Sequence, residues 1–172
     1  RLFYNDVRQF GWIKVVNSNQ LSAVSELAKL GPEPFDKEFT TDYLKQIFAK
    51  TAKPIKLVLM DQEKIAGVGN IYANDALNLA KISPLRSGKS LKEEEIKRLF
   101  AAIPKVLEGG LKYGGSTGAD EAFINVEGKH GRYQEHFRVY QREGEECPNC
   151  GGIIKRVALG GRGTFFCPRC QK

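Results

Sequence analysis

Four cysteines in two close turns, Cys147-Pro-Asn-Cys150 and Cys167-Pro-Arg-Cys170, constrain this chain more than any other feature. Sixteen residues separate the pairs. Each Cys-x-x-Cys turn presents two thiolates to one side, and a hairpin between the turns closes a tetrahedral four-sulfur site for one zinc ion. Gly151-Gly152 after the first pair lets the backbone wrap tightly around the sulfurs. Two redox dithiols or a pair of disulfides are the competing readings. Two such turns at ribbon spacing in a basic, β-rich tail argue against both. Four sulfur ligands leave no position for water, so the ion is read as structural. It supplies folding energy to a segment too small to build a core of its own. His130 and His136, the only histidines, are then ordinary loop or strand residues.

The net charge of +7 over 172 residues is unevenly placed. Residues 129–172 carry nine Lys and Arg against four Glu, which is five of those seven charges. A basic tail built around a zinc ribbon suits a polyanion, although a solvated basic surface gives the same arithmetic. No run of about 18 apolar residues exists, so no helical membrane span is expected, and Arg1-Leu2-Phe3-Tyr4 lacks the profile of a signal peptide. The absence of an initiator Met suggests a chain that begins inside a longer protein. Cysteines paired for metal fit a reducing compartment, and the cytoplasm is the expected location.

Residues 1–16 mix aromatic and β-branched side chains around Asn5-Asp6 and read as strand, turn, strand. Two strands alone are not a stable unit. Asn17 to Gln20 reads as a loop, and Gly31-Pro-Glu-Pro34 as a second break. From about 38 to 112 the periodicity is helical. Thr41 is the expected cap of a helix carrying Tyr43, Leu44, Ile47 and Phe48, and Pro54 suits the first turn of a short helix. Another helix is expected from Ile71 to Lys81. A long one follows, with Ser90 and Glu93 as its capping box, a kink at Pro104 and an end at Gly109-Gly110. Residues 113–132 are Gly-rich and read as a loop. Short strands are expected at Phe137–Gln141, Ile153–Val157 and Thr164–Phe166.

Two sites invite phosphate. Gly67-Val-Gly69-Asn70 precedes a helix, whose N-terminal N–H groups and dipole favour an anion, although a tight turn without ligand has the same sequence. Lys50, Lys53, Lys56 and Lys64 lie close by, as a DNA-facing cluster or as a solvated face. Gly160-Gly161-Arg162-Gly163-Thr164 reads as a hairpin tip able to approach a duplex closely, with Arg162 either a phosphate contact or groove probe, or simply a solvated arginine.

Together these segments resemble the formamidopyrimidine-DNA glycosylases. The resemblance rests on Asn5-Asp-Val-Arg-Gln-Phe-Gly11, Leu30-Gly-Pro-Glu-Pro34, Ile55-Lys56, Leu59-Met-Asp61, Val68-Gly-Asn-Ile-Tyr-Ala73, Tyr113-Gly-Gly-Ser-Thr117, Phe137-Arg-Val-Tyr-Gln-Arg-Glu-Gly144 and Arg162-Gly-Thr-Phe-Phe-Cys167, in family order. It implies a mostly α-helical module of helix–two-turn–helix type plus a small β zinc-ribbon finger, behind the remnant of an N-terminal β-sandwich. The implied organisation is last sandwich strands at 1–17, a linker at 18–36, the helical module at 37–132 and the finger at 133–172. The implied partner is double-stranded DNA containing a damaged base, bound by a monomer, with no membrane involved.

The resemblance also implies roles. Arg8 faces the base opposite the lesion, and Phe10 wedges into the stack left by flipping. Asn70, with Gly69, contacts phosphate, Lys56 lies nearby, and Arg162 holds the flipped nucleotide's phosphates and is linked to δ-elimination. The family excises oxidised purines (8-oxoguanine, formamidopyrimidine) and cuts the strand through an N-terminal proline amine followed by glutamate. Neither stands here, so these residues are expected to bind DNA without excising bases. Asp75 stands where the family usually has Glu, and the stretch after Thr117 lacks a lysine often found in the lesion-sensing loop. Other readings are a non-catalytic DNA-binding module, an endonuclease VIII-type glycosylase for oxidised pyrimidines, or a zinc ribbon for RNA or protein.

Overall fold

A computed structural model describes residues 4, 11, 13–116 and 128–172 of the chain. Two compact units divide at Leu30. In the first, a 3-10 helix over Ser18–Ala23 replaces the expected loop, because the Gln20 N–H folds back onto the Asn17 carbonyl at 2.9 Å. Helix α1, Ser25–Ala28, follows. The strands expected at 1–16 fall mostly outside the described residues, and 13–17 carry no regular structure.

The second unit, Gly31–Lys172, holds both the helical module and the finger. Helix α2 spans Thr41–Ala49 and is capped one residue earlier than the sequence suggested: the Thr40 hydroxyl accepts from the Tyr43 N–H at 3.1 Å. Helix α3 is Ile55–Leu59, with Pro54 just before it, and α4 is Asn70–Ala80, closed by Lys81 in a left-handed conformation. Helix α5, Glu93–Lys112, starts on a different device from the expected Ser90–Glu93 box. The Glu95 carboxylate accepts from the Lys92 N–H at 2.8 Å, while the Ser90 hydroxyl donates to the Ser87 carbonyl. The helix continues across Pro104 and through Gly109-Gly110. Gly110 serves close approach and does not stop the helix: a Cβ there would collide with the Tyr72 hydroxyl.

The helices bury one apolar core. Leu44 and Phe48 of α2, Ile55, Val58 and Leu59 of α3, Leu77 of α4 and Leu99 and Ile103 of α5 are all essentially inaccessible. Each fully buried side chain of this size is worth about 1.5–3 kcal/mol relative to exposure. The finger's own cluster is far smaller: Val139, Ile154 and Phe165 beside Cys147 and Cys167.

Beyond a 3-10 turn at Tyr133–His136, the strand expected at Phe137–Gln141 does not form. Its N–H groups are taken by a side chain: Arg138 and Val139 donate to the Asp75 carboxylate at 3.0 Å each, and Tyr140 at 3.3 Å. Strands β1, Lys155–Leu159, and β2, Arg162–Phe166, form an antiparallel hairpin with Leu159 opposite Arg162. The two-residue turn is Gly160-Gly161, at φ +58 and +72, as a tight hairpin turn demands. The first strand begins two residues later than expected because Ile153 pairs instead with Glu146 in an isolated bridge.

Helix α4 joins the two parts. One face gives Ala73, Leu77 and Ala80 to the helical core. The other carries Asn70, Asn74 and Asn78 at i, i+4 spacing with Asp75 beside them, and Asn74, Asp75 and Asn78 are buried against the finger. Asn74 accepts from the Phe165 N–H of β2 at 2.8 Å. Buried polar groups must be paired, and here the pairing lets the finger dock on the helix.

Candidate nucleic-acid interface

The four cysteine sulfurs lie within 4.8 Å of one another. Cys147–Cys170 and Cys150–Cys167 are 3.7 and 3.6 Å apart. Zinc–sulfur bonds of about 2.3 Å in a tetrahedron place sulfurs roughly 3.8 Å apart, whereas a disulfide needs about 2.05 Å. The donor set therefore fits one closed structural zinc site, held by Cys147, Cys150, Cys167 and Cys170. When bound, the ion fixes the two turns that frame the β1–β2 hairpin.

That hairpin brings Arg162 to the helical module. Arg162, at the start of β2, lines one cleft of about 340 Å³ with Met60, Gln62, Gly67, Val68, Gly69 and Asn70. Two stretches far apart in sequence, the turn before α4 and the finger tip, thus share a cleft. Among the described residues, no carboxylate lines it. The turn is shaped by Gln62, which sequence reasoning missed. Its amide donates to the carbonyls of Met60 at 3.1 Å and Val68 at 3.0 Å and accepts from the Gly67 N–H at 2.9 Å. An isolated glutamine in a loop carries no pattern to find it by. At Gly69 no described side chain caps α4, so its first N–H groups are available to a ligand.

Lys56 departs from the expected surface cluster. Lys50 and Lys53 are exposed and Lys64 is paired with Asp61, but Lys56 is fully buried. Its Nζ donates to the Gly163 carbonyl at 2.9 Å and the Thr164 hydroxyl at 2.7 Å. The sequence cannot show this, since a lysine at the start of a short helix ordinarily faces water. Burial, and then the nearby Arg162 charge, push the Lys56 amine down to about 8. Two cations thus stand together at the finger tip, where Coulomb repulsion works against folding.

Two further clefts adjoin the Arg162–Asn70 cleft, one sharing Arg162 and the other Gly67. One, lined by the hairpin itself, combines Arg156 and Arg162 with Glu143. The other is apolar, lined by Pro34, Phe35, Tyr72, Leu107 and Leu111 with no basic residue among the described ones, and is unsuited to phosphate. Arg8 and Phe10 lie outside the described residues, as do residues 117–127. Asp75 spends its carboxylate on three backbone donors inside the molecule, and burial raises its pKa.

Residues 30–121 match the family model for the formamidopyrimidine-DNA glycosylase H2TH domain, more than half of the chain. The chain belongs to the formamidopyrimidine-DNA glycosylase family. Residues 144–172 match the zinc finger found in FPG and IleRS. Formamidopyrimidine-DNA glycosylase of Bacillus cereus (strain ATCC 10987 / NRS 248) is 43% identical over 170 residues, covering 99% of this chain and 61% of that protein. The Pelotomaculum thermopropionicum enzyme is 42% identical over 172 residues, covering 100% and 62%. The chain therefore spans about three fifths of these relatives. Among solved structures, MutM (Fpg) of Thermus thermophilus superposes with a TM-score of 0.83 at 41% identity, covering 91% of this chain and 59% of that one. Lactococcus lactis Fpg in complex with abasic-site DNA gives 0.87 at 36% identity, covering 97% and 60%. The mostly helical, helix–two-turn–helix plus zinc-finger fold expected from the sequence is the one found. No described helix is long and apolar enough to cross a membrane.

Proposed function

We propose that these residues grip damaged duplex DNA, as the DNA-holding part of a bifunctional glycosylase and AP lyase that excises oxidised purines by base flipping. The observation that carries this reading is the finger-tip cleft. The Arg162 guanidinium shares the cleft with an uncapped helix N-terminus, no carboxylate is among its described residues, and the Lys56 ammonium is buried behind the finger tip on Gly163 and Thr164. Such an arrangement costs stability in the free protein, and a bound phosphate relieves it. Asn70 and the α4 N–H groups would take one phosphate, and Arg162 would draw the flanking backbone across from the finger. Arg162 would hold the flipped nucleotide while the strand is cut, the role the resemblance assigns it. Arg8 and Phe10 would face the opposite base and fill the stack.

Lactococcus lactis Fpg has been solved with abasic-site DNA and with Fapy-dG DNA, and MutM with carbocyclic 8-oxo-G DNA. These complexes support abasic and oxidised-purine sites as the ligands here. The excision step implied by the resemblance needs an amine nucleophile at the sugar. The described residues lining the cleft offer neither a free amine nor a thiol, so holding rather than excising is the activity assigned to them. Four free thiols suited to zinc favour a reducing compartment such as the cytoplasm.

The test is fluorescence anisotropy of the zinc-loaded chain on a duplex with a central abasic analogue, on the undamaged duplex and on a single-stranded RNA, with borohydride trapping on an 8-oxoguanine duplex in parallel. The reading expects the abasic duplex to bind tightest and no trapped adduct to form. Equal binding of RNA and abasic duplex would sink it in favour of a generic ribbon. A trapped adduct would refute the restriction to holding.

A further inference from the structure

Asn78 lies in the helical module, two helical turns from the finger-tip cleft, and is fully buried. Its carbonyl oxygen accepts from Arg138 Nε and from Asn149 Nδ2, both at 3.1 Å. Arginine can only donate, so this end of the amide is fixed as the oxygen. Asn149 is fixed in turn, because its own oxygen accepts from the Arg138 guanidinium and its Nδ2 also reaches the Asn78 main-chain carbonyl at 2.8 Å. The Asn78 Nδ2 group must therefore face the other way, toward the metal centre. There it donates to the Cys147 sulfur at 3.7 Å and to the Gln171 Oε1 at 3.0 Å. That same Gln171 oxygen accepts the Cys167 N–H at 2.8 Å, and the Gln171 Nε2 returns to the helical module at the Ile82 carbonyl, 2.9 Å away.

From this geometry we infer that Asn78 is a positioning residue of the zinc site: it donates to the Cys147 thiolate and orders Gln171, so that the helical module sets how tightly the finger holds its metal. The inference builds on the zinc assignment but not on the DNA-binding proposal. An N–H donor stabilises a thiolate against protonation and trims the electron density it gives to the ion. It also fixes the sulfur's direction, as outer-sphere hydrogen bonds generally orient ligands. Each Cys-x-x-Cys turn is served. Cys147 belongs to the first and is contacted directly, while Cys167 belongs to the second and is reached through Gln171.

The test compares three variants of the full 172-residue chain. Asn78→Asp nearly preserves shape and keeps oxygen acceptors for Arg138 and Asn149, but replaces the donor by a charge facing the thiolate. Asn78→Leu removes donor and acceptor together. Asn74→Ala loosens the same helix–finger contact, through Phe165, without touching sulfur. The readouts are zinc affinity in competition with a chelator and the sulfur-to-cobalt charge-transfer band of the cobalt-substituted protein. Both Asn78 variants should lose about 10- to 100-fold in metal affinity and shift the band, whereas Asn74→Ala should leave the band in place. Circular dichroism of Asn78→Asp with zinc bound reports whether it still folds. An unchanged band in the Asn78 variants, or an equal loss of affinity in Asn74→Ala, would show that Asn78 acts only through docking and would overturn the inference.

Discussion

Arg162 and Asn70 meet in one cleft but differ in charge, and that difference separates their contributions. Each phosphate neutralised by a cation contributes roughly −0.9 to the slope of log affinity against log salt. Arg162→Ala should therefore weaken binding to an abasic-site duplex and flatten the salt slope by about one unit. Asn70→Ala should weaken binding by about 10-fold, from a lost charge-assisted hydrogen bond of roughly 1.5 kcal/mol, while the slope stays put. Anisotropy titrations across a salt series distinguish the two, and an unchanged slope in Arg162→Ala would remove it from the phosphate contacts. Lys56 makes a different demand, through pH. Its pKa in the folded protein lies at about 8, below its ordinary value of 10.5. Between those values the unfolded chain binds the proton that the folded one has released, so stability rises with pH across that window. Below it the cost of the buried charge is present in full. Urea unfolding at pH 7 and pH 10 should show the wild type gaining on Lys56→Met, in which the group is absent. A wild-type stability that falls against the variant over this range would contradict the assigned burial.

At the scale of elements, glycine and aspartate in the helices act against their usual propensities. Alanine exceeds glycine in helix propensity by about 1 kcal/mol, so Gly110→Ala, in the last turn of α5, would ordinarily stabilise. Here the new methyl would lie against the Tyr72 hydroxyl where α5 crosses α4. The expected result is a net loss of about 1–3 kcal/mol from overpacking, readable in thermal unfolding; a rise in Tm would mean that Tyr72 swings away freely. Asp75→Ala should cost at least about 2 kcal/mol by leaving three backbone donors, that of Val139 fully buried, without their acceptor. Both effects show what the sequence makes legible. Apolar spacing of 3.6 residues announces α2, α4 and α5, and the cysteine spacing announces the metal site, because each is a local pattern enforced by one dominant force. The failed strand at Phe137–Gln141 has good β composition, but its hydrogen bonds go to Asp75, which lies more than sixty residues earlier in the chain. Lys56 was opaque for the same reason: its partners, Gly163 and Thr164, are set by tertiary docking, and no window of sequence contains both halves of the contact. Gln62, by contrast, bonds only to residues within six positions of it and was missed because a lone loop glutamine has no periodic signal. The finger-tip cleft itself was legible only as two separate phosphate-friendly turns.

For the molecule as a whole, the question is whether finger and helices stand or fall together when zinc is withdrawn. The finger has Val139, Ile154 and Phe165, with the half-buried Tyr140, to pack around its thiols, too little apolar surface to offset the entropy of ordering the segment. The helices keep their own core, from Phe39 to Val106, with no finger residue in it. What they lose on finger release is chiefly the cover over Lys56, Asn74, Asp75 and Asn78, with the Tyr72 ring that packs on Tyr133, and apart from that ring these side chains are polar. Exposed to water they are hydrated at little cost, whereas an apolar docking face would drive collapse or aggregation. Chelation should accordingly leave most of the far-ultraviolet helical signal in place while DNA affinity falls by at least about 10-fold, since the hairpin no longer holds Arg162 over Asn70. The same chelation applied to Arg162→Ala should cost much less, because the two changes remove one interaction and their effects should not add. If the helical signal is lost in step with the zinc, the polar face of α4 is not the separable joint described here, and the metal centre is part of the folding nucleus of the entire second unit.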